Sequence, residues 1–381
     1  MSDTSASIAF QRYREVRFFG SLNGLRVLCV FMVMWHHSPA RGSLDDPNKL
    51  LNAGYTGVDF FFVLSGFLIT TLLLREEARH GRFSLPDFYW RRILRIVPLY
   101  FFVVSAVSGY YILVQGEWQY LSDLPYYYLF LSNFMGDDGI RLLSITWSLA
   151  VEEQYYLVWP VILLLLPVAG RIRIWVLIAI IAAFVVLAAS ALDASMAGRQ
   201  PHALWWLPLS SYAGLLIGSL LGLLLHRPRG FALVHGFAGR WFAPLVAFAL
   251  LALSLRYYPG PLKGWGNLLV HSMMALCIAS IVAREDNLLR PILSFRPVAR
   301  IGEISYGIYL YHLIGLYIAS VLLMPLLTGL APKAQAWVLT LGMVVVTLTI
   351  SEISFRYFES YFLRFKNRRP VWRARVRSAE E

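Results

Sequence analysis

Residues 54–74 read GYTGVDFFFVLSGFLITTLLL, and the eighteen residues from Gly57 onward carry a single charge, Asp59. As a helix such a run comes close to the ~30 Å hydrocarbon thickness of a bilayer, so it is read as a membrane span. Comparable stretches recur near 22–39, 93–114, 147–168, 172–192, 204–225, 241–258, 264–283, 304–327 and 334–358. The rest of the chain agrees: 58% of its 381 residues are hydrophobic, 15% are charged, and the mean hydropathy is +0.59. These values exclude a large water-soluble domain. The expected fold is all-α, a polytopic membrane bundle of about ten transmembrane helices. A shorter apolar piece, LPYYYLFLSNF at 124–134, is too short to cross and is expected to be re-entrant or interfacial.

The formal charge of +12 follows the hydrophobic segments and gathers on no soluble face, which argues against a nucleic-acid partner. Arg12, Arg14 and Arg17 precede the first span, and alternation then places Arg75, Arg79 and Arg82, Arg171 and Arg173, Arg227 and Arg229, and Arg290, Arg296 and Arg300 on the same side. By the positive-inside rule that side is the cytoplasm. Arg364, Lys366, Arg368, Arg369, Arg373, Arg375 and Arg377 follow the last span, so both termini are expected there. Loops such as QGEWQYLSD and LDASMAGRQPH, on the opposite side, are far less basic. The organisation expected is a basic tail over 1–20, a membrane domain over 21–362 and a second basic tail over 363–381. No removable signal peptide is apparent in MSDTSASIAFQRYREVR. Cys29 and Cys277 both fall inside spans, which suits neither a disulfide framework nor a metal quartet.

Ionisable side chains inside a bilayer are costly, which makes each a candidate for function. In LNGLRVLCVFMVMWHH (22–37), Arg26 and His37 are eleven positions apart, bringing them within roughly 20° of one helix face and some 16 Å apart. His36 points about 100° away. Read without function, the two histidines are an interfacial pair at a span end. Asp59 opens the second span across a short loop and is placed to polarise His37, or else only to complement its helix dipole. In FYWRRILRIVPLYFF (88–102), Arg91, Arg92 and Arg95 form one cationic ridge, which reads as a phosphate cradle or as a positive-inside anchor. In ITWSLAVEEQYYLVWP (145–160), Ser148 and Glu152 share a face and Glu153 lies about 100° around. Adjacent carboxylates in a span suggest function, or pairing with an arginine from elsewhere. His312, in ISYGIYLYHLIGLY (304–317), is expected near mid-membrane, either as part of the site or as a satisfied core histidine. Glu352, Arg356 and Glu359 are expected to pair locally, and His271 has no evident partner.

Taken together and in this order, these blocks resemble the integral-membrane acyltransferase family 3, which includes O-antigen and exopolysaccharide O-acetyltransferases. Arg26, ten residues and His37 are similar to that family's basic-x10-His motif, and GVDFFFVLSGFLI, RRILRIVPLY, WSLAVEEQYYLVWP and ISYGIYLYH to its other blocks, over about residues 20–360. The resemblance implies transfer of an acyl group, usually acetyl from acetyl-CoA, to a hydroxyl of a carbohydrate or glycolipid. Acyl-CoA would be the donor, with no tightly bound cofactor and no metal. The protein would sit as a multi-pass protein of the plasma membrane, or of the inner membrane of a two-membrane envelope, and serve cell-envelope modification. His37 matches the catalytic histidine, Arg92 and Arg95 the Arg-x-x-Arg pair linked to acyl-CoA, and Ser148 with Glu152 the Ser-x-x-x-Glu element. FESY (358–361) stands where the family usually has Glu-Arg-Pro. Some relatives carry an added esterase-like domain, for which this chain is too short. The mechanism expected has His37, assisted by Asp59 or Glu152, deprotonating the acceptor while Arg91, Arg92 and Arg95 hold CoA phosphates. The rival reading is a proton-coupled transporter or flippase, since intramembrane His, Asp, Glu and Arg also build relays.

Overall fold

The computed structural model describes residues 3–16, 18–44, 50–135, 139–166, 171–196, 209–257 and 265–366. Arg17, most of the LDASMAGRQPH loop and the basic run from Arg368 to Arg377 lie outside them. The described residues form helices and connecting turns with no strand. In chain order the helices are α1 (Asp3–Glu15), α2 (Ser21–His37), α3 (Thr56–His80), α4 (Leu85–Gly109), α5 (Leu124–Tyr128), α6 (Thr146–Leu165), α7 (Ile172–Met196) and α8 (Leu209–Leu225). They continue with α9 (Pro228–Ala238), α10 (Ala243–Tyr257), α11 (Trp265–Val282), α12 (Arg290–Leu293), α13 (Arg296–Glu303), α14 (Ser305–Leu323), α15 (Pro332–Ser354) and α16 (Ser360–Leu363).

The polytopic all-α expectation holds, with a smaller number of evident crossings. Six segments are long and apolar enough to span: Leu51–His80, Leu85–Val114, Ile172–Ala191, Trp265–Val282, Ser305–Leu326 and Pro332–Leu363. The bent pair α9 and α10, which meet at 78°, would make seven. Hydropathy alone counts more because α2, α6 and α8 are also apolar helices. However, α2 and α8 have only 17 residues each, and α6 carries Glu152 and Glu153 in its middle. The 124–134 stretch does not cross. It folds as α5 and a short turn, with Phe130 at φ 55°. That left-handed conformation costs a bulky residue about 1–2 kcal/mol. It is held by stacking on Tyr100, with centroids 4.4 Å apart, and by Gln154 Nε2 donating to the Phe130 carbonyl at 2.8 Å.

Residues 3–15 are helical, so the segment expected as a tail is part of the packed structure. Phe10 and Tyr13 bury against Phe231 of α9. Arg75, expected as a cytoplasmic loop charge, donates to the Tyr13 and Val16 carbonyls at 3.0 and 2.6 Å, so a cation meets the negative end of α1. Local signals set the other boundaries. Ser84 Oγ accepts from the Asp87 amide to cap α4, and Gly81, at φ +75°, ends α3 in the left-handed conformation that glycine adopts at little cost.

Small residues let the helices touch, as GVDFFFVLSGFLI suggests. A Cβ on Gly66 would lie 1.8 Å from the Leu215 carbonyl oxygen, and one on Gly218 1.9 Å from that of Val63, so α3 and α8 cross backbone to backbone. Gly57 likewise abuts the Cys29 carbonyl of α2, which sets the start of α3 beside the end of α2. Cys29 and Cys277 are buried free thiols.

One deep ion pair ties α3 to the α6–α7 turn. Arg173 Nη1 and Nη2 meet the two oxygens of Glu77 at 2.6 and 3.0 Å, and Arg173 also donates to the Leu163 and Leu166 carbonyls at the end of α6. With Arg173 3% exposed, removing one partner strands a buried charge, which costs about 3–5 kcal/mol. Arg173→Ala should therefore lower the unfolding temperature of the purified protein in detergent markedly. Arg284→Ala, which breaks an exposed pair with Asp286, should leave it within a degree or two.

Candidate active site

The Gly57 contact places His37, at the end of α2, beside Asp59, in the first turn of α3. Both line a cavity of about 620 Å³ whose wall also includes His36, Tyr55, Asn133 and Arg141. A second cavity of about 100 Å³ lies deeper along α2, where Arg26 is joined by Ser65, Arg92, Arg95, Ser148, Glu152 and Tyr306. Val58 and Tyr309 line both, so one wall separates the histidine chamber from the arginine chamber. Tyr309 Oη is 2.6 Å from Ser148 Oγ and donates to the Ile145 carbonyl at 3.2 Å, which fixes the phenol in that wall.

The histidine partners differ from those the sequence suggested. Asp59 Oδ1 lies 3.2 Å from Nε2 of His271, which is 1% exposed, and so pairs with α11 instead of orienting His37. His37 Nδ1 is 3.0 Å from the Val33 carbonyl and 3.2 Å from Nε2 of His312, whose Nδ1 is 2.6 Å from the Tyr309 carbonyl. His312 is 0% exposed, and it joins the site across 275 residues of sequence. His36 faces the same cavity but is claimed by Arg41, whose guanidinium lies 3.3 Å from His36 Nδ1.

The acidic residue of α6 also moves. Glu152, expected near His37, stands among the arginines, where its Oε1 accepts from the hydroxyls of Ser65 and Tyr156. Glu153, one residue on and about 100° around the helix, lines neither cavity. The expected ridge of three arginines divides as well. Arg91 turns outward and pairs with Glu76 at 2.9 Å, whereas Arg92 lies over the Tyr156 ring at 4.8 Å and, with Arg95 and Arg26, faces the small cavity. Arg26 donates to Asn23 Oδ1 at 3.0 Å. Among the described residues neither Arg92 nor Arg95 has an ion pair; three guanidiniums line the cavity with one carboxylate, Glu152, while Glu153 and Glu359 act on Arg92 and Arg95 from outside it, and the guanidinium-rich lining suits an anion.

At the far end of the chain Arg300, a residue of α13, forks onto Glu352 at 3.1 and 3.0 Å, and Arg356 joins it. Glu359 is outside that local network; it is buried and accepts from Ser354 Oγ at 3.4 Å. Sequence reasoning passed over Tyr309, Tyr156 and Gln154. The two tyrosines sit inside the quoted motif blocks, three residues before His312 and four after Glu152, so helix-face arithmetic applied to the hydroxyls could have found them.

An acyltransferase domain family matches residues 19–355, and the chain belongs to that family. The blocks that carry Arg26, His37, Asp59, Arg92, Glu152 and His312 fall inside the match, FESY (358–361) lies just past its end, and the helices that pass the length and apolarity test make the protein a multi-pass membrane member. It is 28% identical to the peptidoglycan O-acetyltransferase OatA of Listeria monocytogenes over 94% of this chain and 59% of that protein. It is 28% identical to the putative peptidoglycan O-acetyltransferase YrhL of Bacillus subtilis, over 92% and 56%. The O-acetyltransferase OatA of Staphylococcus aureus is 26% identical, over 81% and 52%. The chain thus spans between half and three-fifths of the length of these relatives. No solved structure matches.

The pairing of Asp59 with His271 is testable without an activity assay. In a double-mutant cycle on unfolding, Asp59→Ala and His271→Ala should couple by about 0.5–3 kcal/mol, and Asp59→Ala and His37→Ala by less. Equal coupling in both cycles would remove the assignment.

Proposed function

We propose that the protein is a membrane O-acyltransferase that moves an acyl group, acetyl by default, from an acyl-CoA to a hydroxyl of a carbohydrate or glycolipid of the cell envelope. The observation that carries this reading is the shared wall. A chamber lined by three guanidiniums and one carboxylate abuts a larger chamber with a histidine, and Tyr309 stands between them. The activity of the relatives, O-acetylation, supports the reaction class, and their acceptor, peptidoglycan, supports a polysaccharide acceptor.

In this reading Arg26, Arg92 and Arg95 hold phosphate or the thioester end of the donor, since guanidiniums bind such oxygens with charge-assisted hydrogen bonds. The acceptor occupies the larger cavity. Its hydroxyl oxygen attacks the acyl carbonyl carbon while His37 takes the hydroxyl proton; the new C–O bond forms, the C–S bond breaks, and the departing CoA thiolate takes the proton from His37. Glu152, fixed by Ser65 and Tyr156, keeps the arginines in place. Asp59, on the wall of the larger cavity, accepts hydrogen bonds from acceptor hydroxyls.

The test is transfer of radiolabelled acetyl from acetyl-CoA to a soluble glycan by the purified protein in lipid vesicles. His37→Ala should lower turnover by about 10²–10⁴-fold. Arg92→Ala and Arg95→Ala should raise the donor KM about tenfold or more, the scale of one lost charge-assisted hydrogen bond, while Arg91→Ala changes it less than about twofold. Full turnover in His37→Ala would end the proposal, as would uptake of an unmodified glycan precursor driven by a proton gradient without any acyl transfer.

A further inference from the structure

Two adjacent histidines, His36 and His37, face one cavity with their rings edge to face at 5.0 Å. A neutral imidazole has one N–H and one bare nitrogen, and only the bare one can take a proton. Which nitrogen is bare is dictated by what the other faces. A carbonyl oxygen only accepts and a guanidinium only donates, so both kinds of neighbour fix the tautomer.

Starting from the buried end, His312 Nδ1 is 2.6 Å from the Tyr309 carbonyl and must carry the proton. His312 Nε2 is then bare and accepts from the nitrogen 3.2 Å away, Nδ1 of His37. The same His37 nitrogen faces the Val33 carbonyl at 3.0 Å, a second acceptor. Both neighbours demand a hydrogen on His37 Nδ1, which leaves His37 Nε2 bare. A doubly protonated His312 would need His37 Nδ1 as an acceptor and would set its lone pair against the Val33 carbonyl. His36 is in the opposite state: the Arg41 guanidinium donates to its Nδ1, so the proton of His36 sits on Nε2.

We propose that His312 is a positioning residue that, through the Tyr309 carbonyl, holds His37 as the Nδ1–H tautomer and so makes Nε2 of His37, and neither nitrogen of His36, the proton-accepting atom of the site. This rests on the reading of His37 as the base. The Val33 carbonyl also accepts the helical amide of His37, four residues on, and so divides its two lone pairs between two donors, whereas the His312 Nε2 lone pair faces the His37 ring alone. The sequence repeats the histidine, and the surrounding hydrogen bonds decide which copy works.

The test uses the full chain, labelled with ¹⁵N-histidine in lipid vesicles, with the signals of His36 and His37 assigned by their loss in His36→Gln and His37→Gln. The expected result is opposite tautomers, Nδ1–H for His37 and Nε2–H for His36. His312→Gln places an amide oxygen where Nε2 accepts; it should keep the His37 tautomer and at least about a tenth of the acetyl-transfer kcat. His312→Leu should produce a population of His37 with bare Nδ1 and lower kcat by about 10²–10⁴-fold, the scale of a base held in the wrong tautomer, with donor and acceptor KM within about threefold. A His37 in the Nε2–H form in the unmutated protein overturns the proposal, as does an unchanged kcat in His312→Leu. If that variant fails to fold, the unmutated spectrum and the His312→Gln variant decide alone. Retained turnover in His37→Ala would instead remove the base reading while leaving the tautomer measurement standing, so the two failures are told apart.

Discussion

Three guanidiniums that converge inside a low-dielectric bundle, on a cavity lined by a single carboxylate, are the constraint around which the rest of the structure is arranged. Arg26 comes from α2, Arg92 and Arg95 from α4, and Glu152 from α6, so three helices must meet for any of these charges to be tolerable. The carboxylate is itself pinned by hydroxyls from α3 and from the next turn of α6. The Tyr156 ring lies beneath Arg92 and supplies a π-face where a counter-ion is missing. Such an arrangement is poor as a stabiliser, because like charges are brought together out of water. It makes sense as a socket whose missing charge arrives with a ligand.

The geometry of the larger chamber follows from packing that has nothing polar in it. The glycine contacts draw α3, which carries Asp59, against α2, which carries His37, and against α8, whose Gly214 abuts the His271 ring. A one-methyl enlargement at Gly57 or Gly66 would push against a backbone carbonyl with no rotamer to give way. The polar site is thus dimensioned by the smallest side chains in the chain.

Much of this was legible in the sequence, and the illegible part has a common cause. The helical class, the shared face of Ser148 and Glu152, and the inward-facing positions of Arg26, His37, Arg92 and Arg95 were readable because each depends on periodicity within one helix. The partners were not. Asp59 is as close in sequence to His37 as a loop allows, yet it pairs with His271, 212 residues away, because α11 lies on that side of α3. Arg91 was grouped with Arg92 although adjacent helical positions diverge by about 100°, too much for one face, and Glu76 took the outward one. Six segments pass the length and apolarity test against the ten expected, because among the described residues α2 and α8 are short and α6 carries two carboxylates.

Tyr309 contributes twice from a single position: its phenol stands in the partition and its carbonyl anchors the His312 ring. These two duties cannot be adjusted separately. A roll or slide of α14 that shifts the phenol between the chambers also shifts His312, and with it the acceptor that faces His37 Nδ1. The doorway between donor and acceptor and the state of the neighbouring imidazole thus ride on one helix.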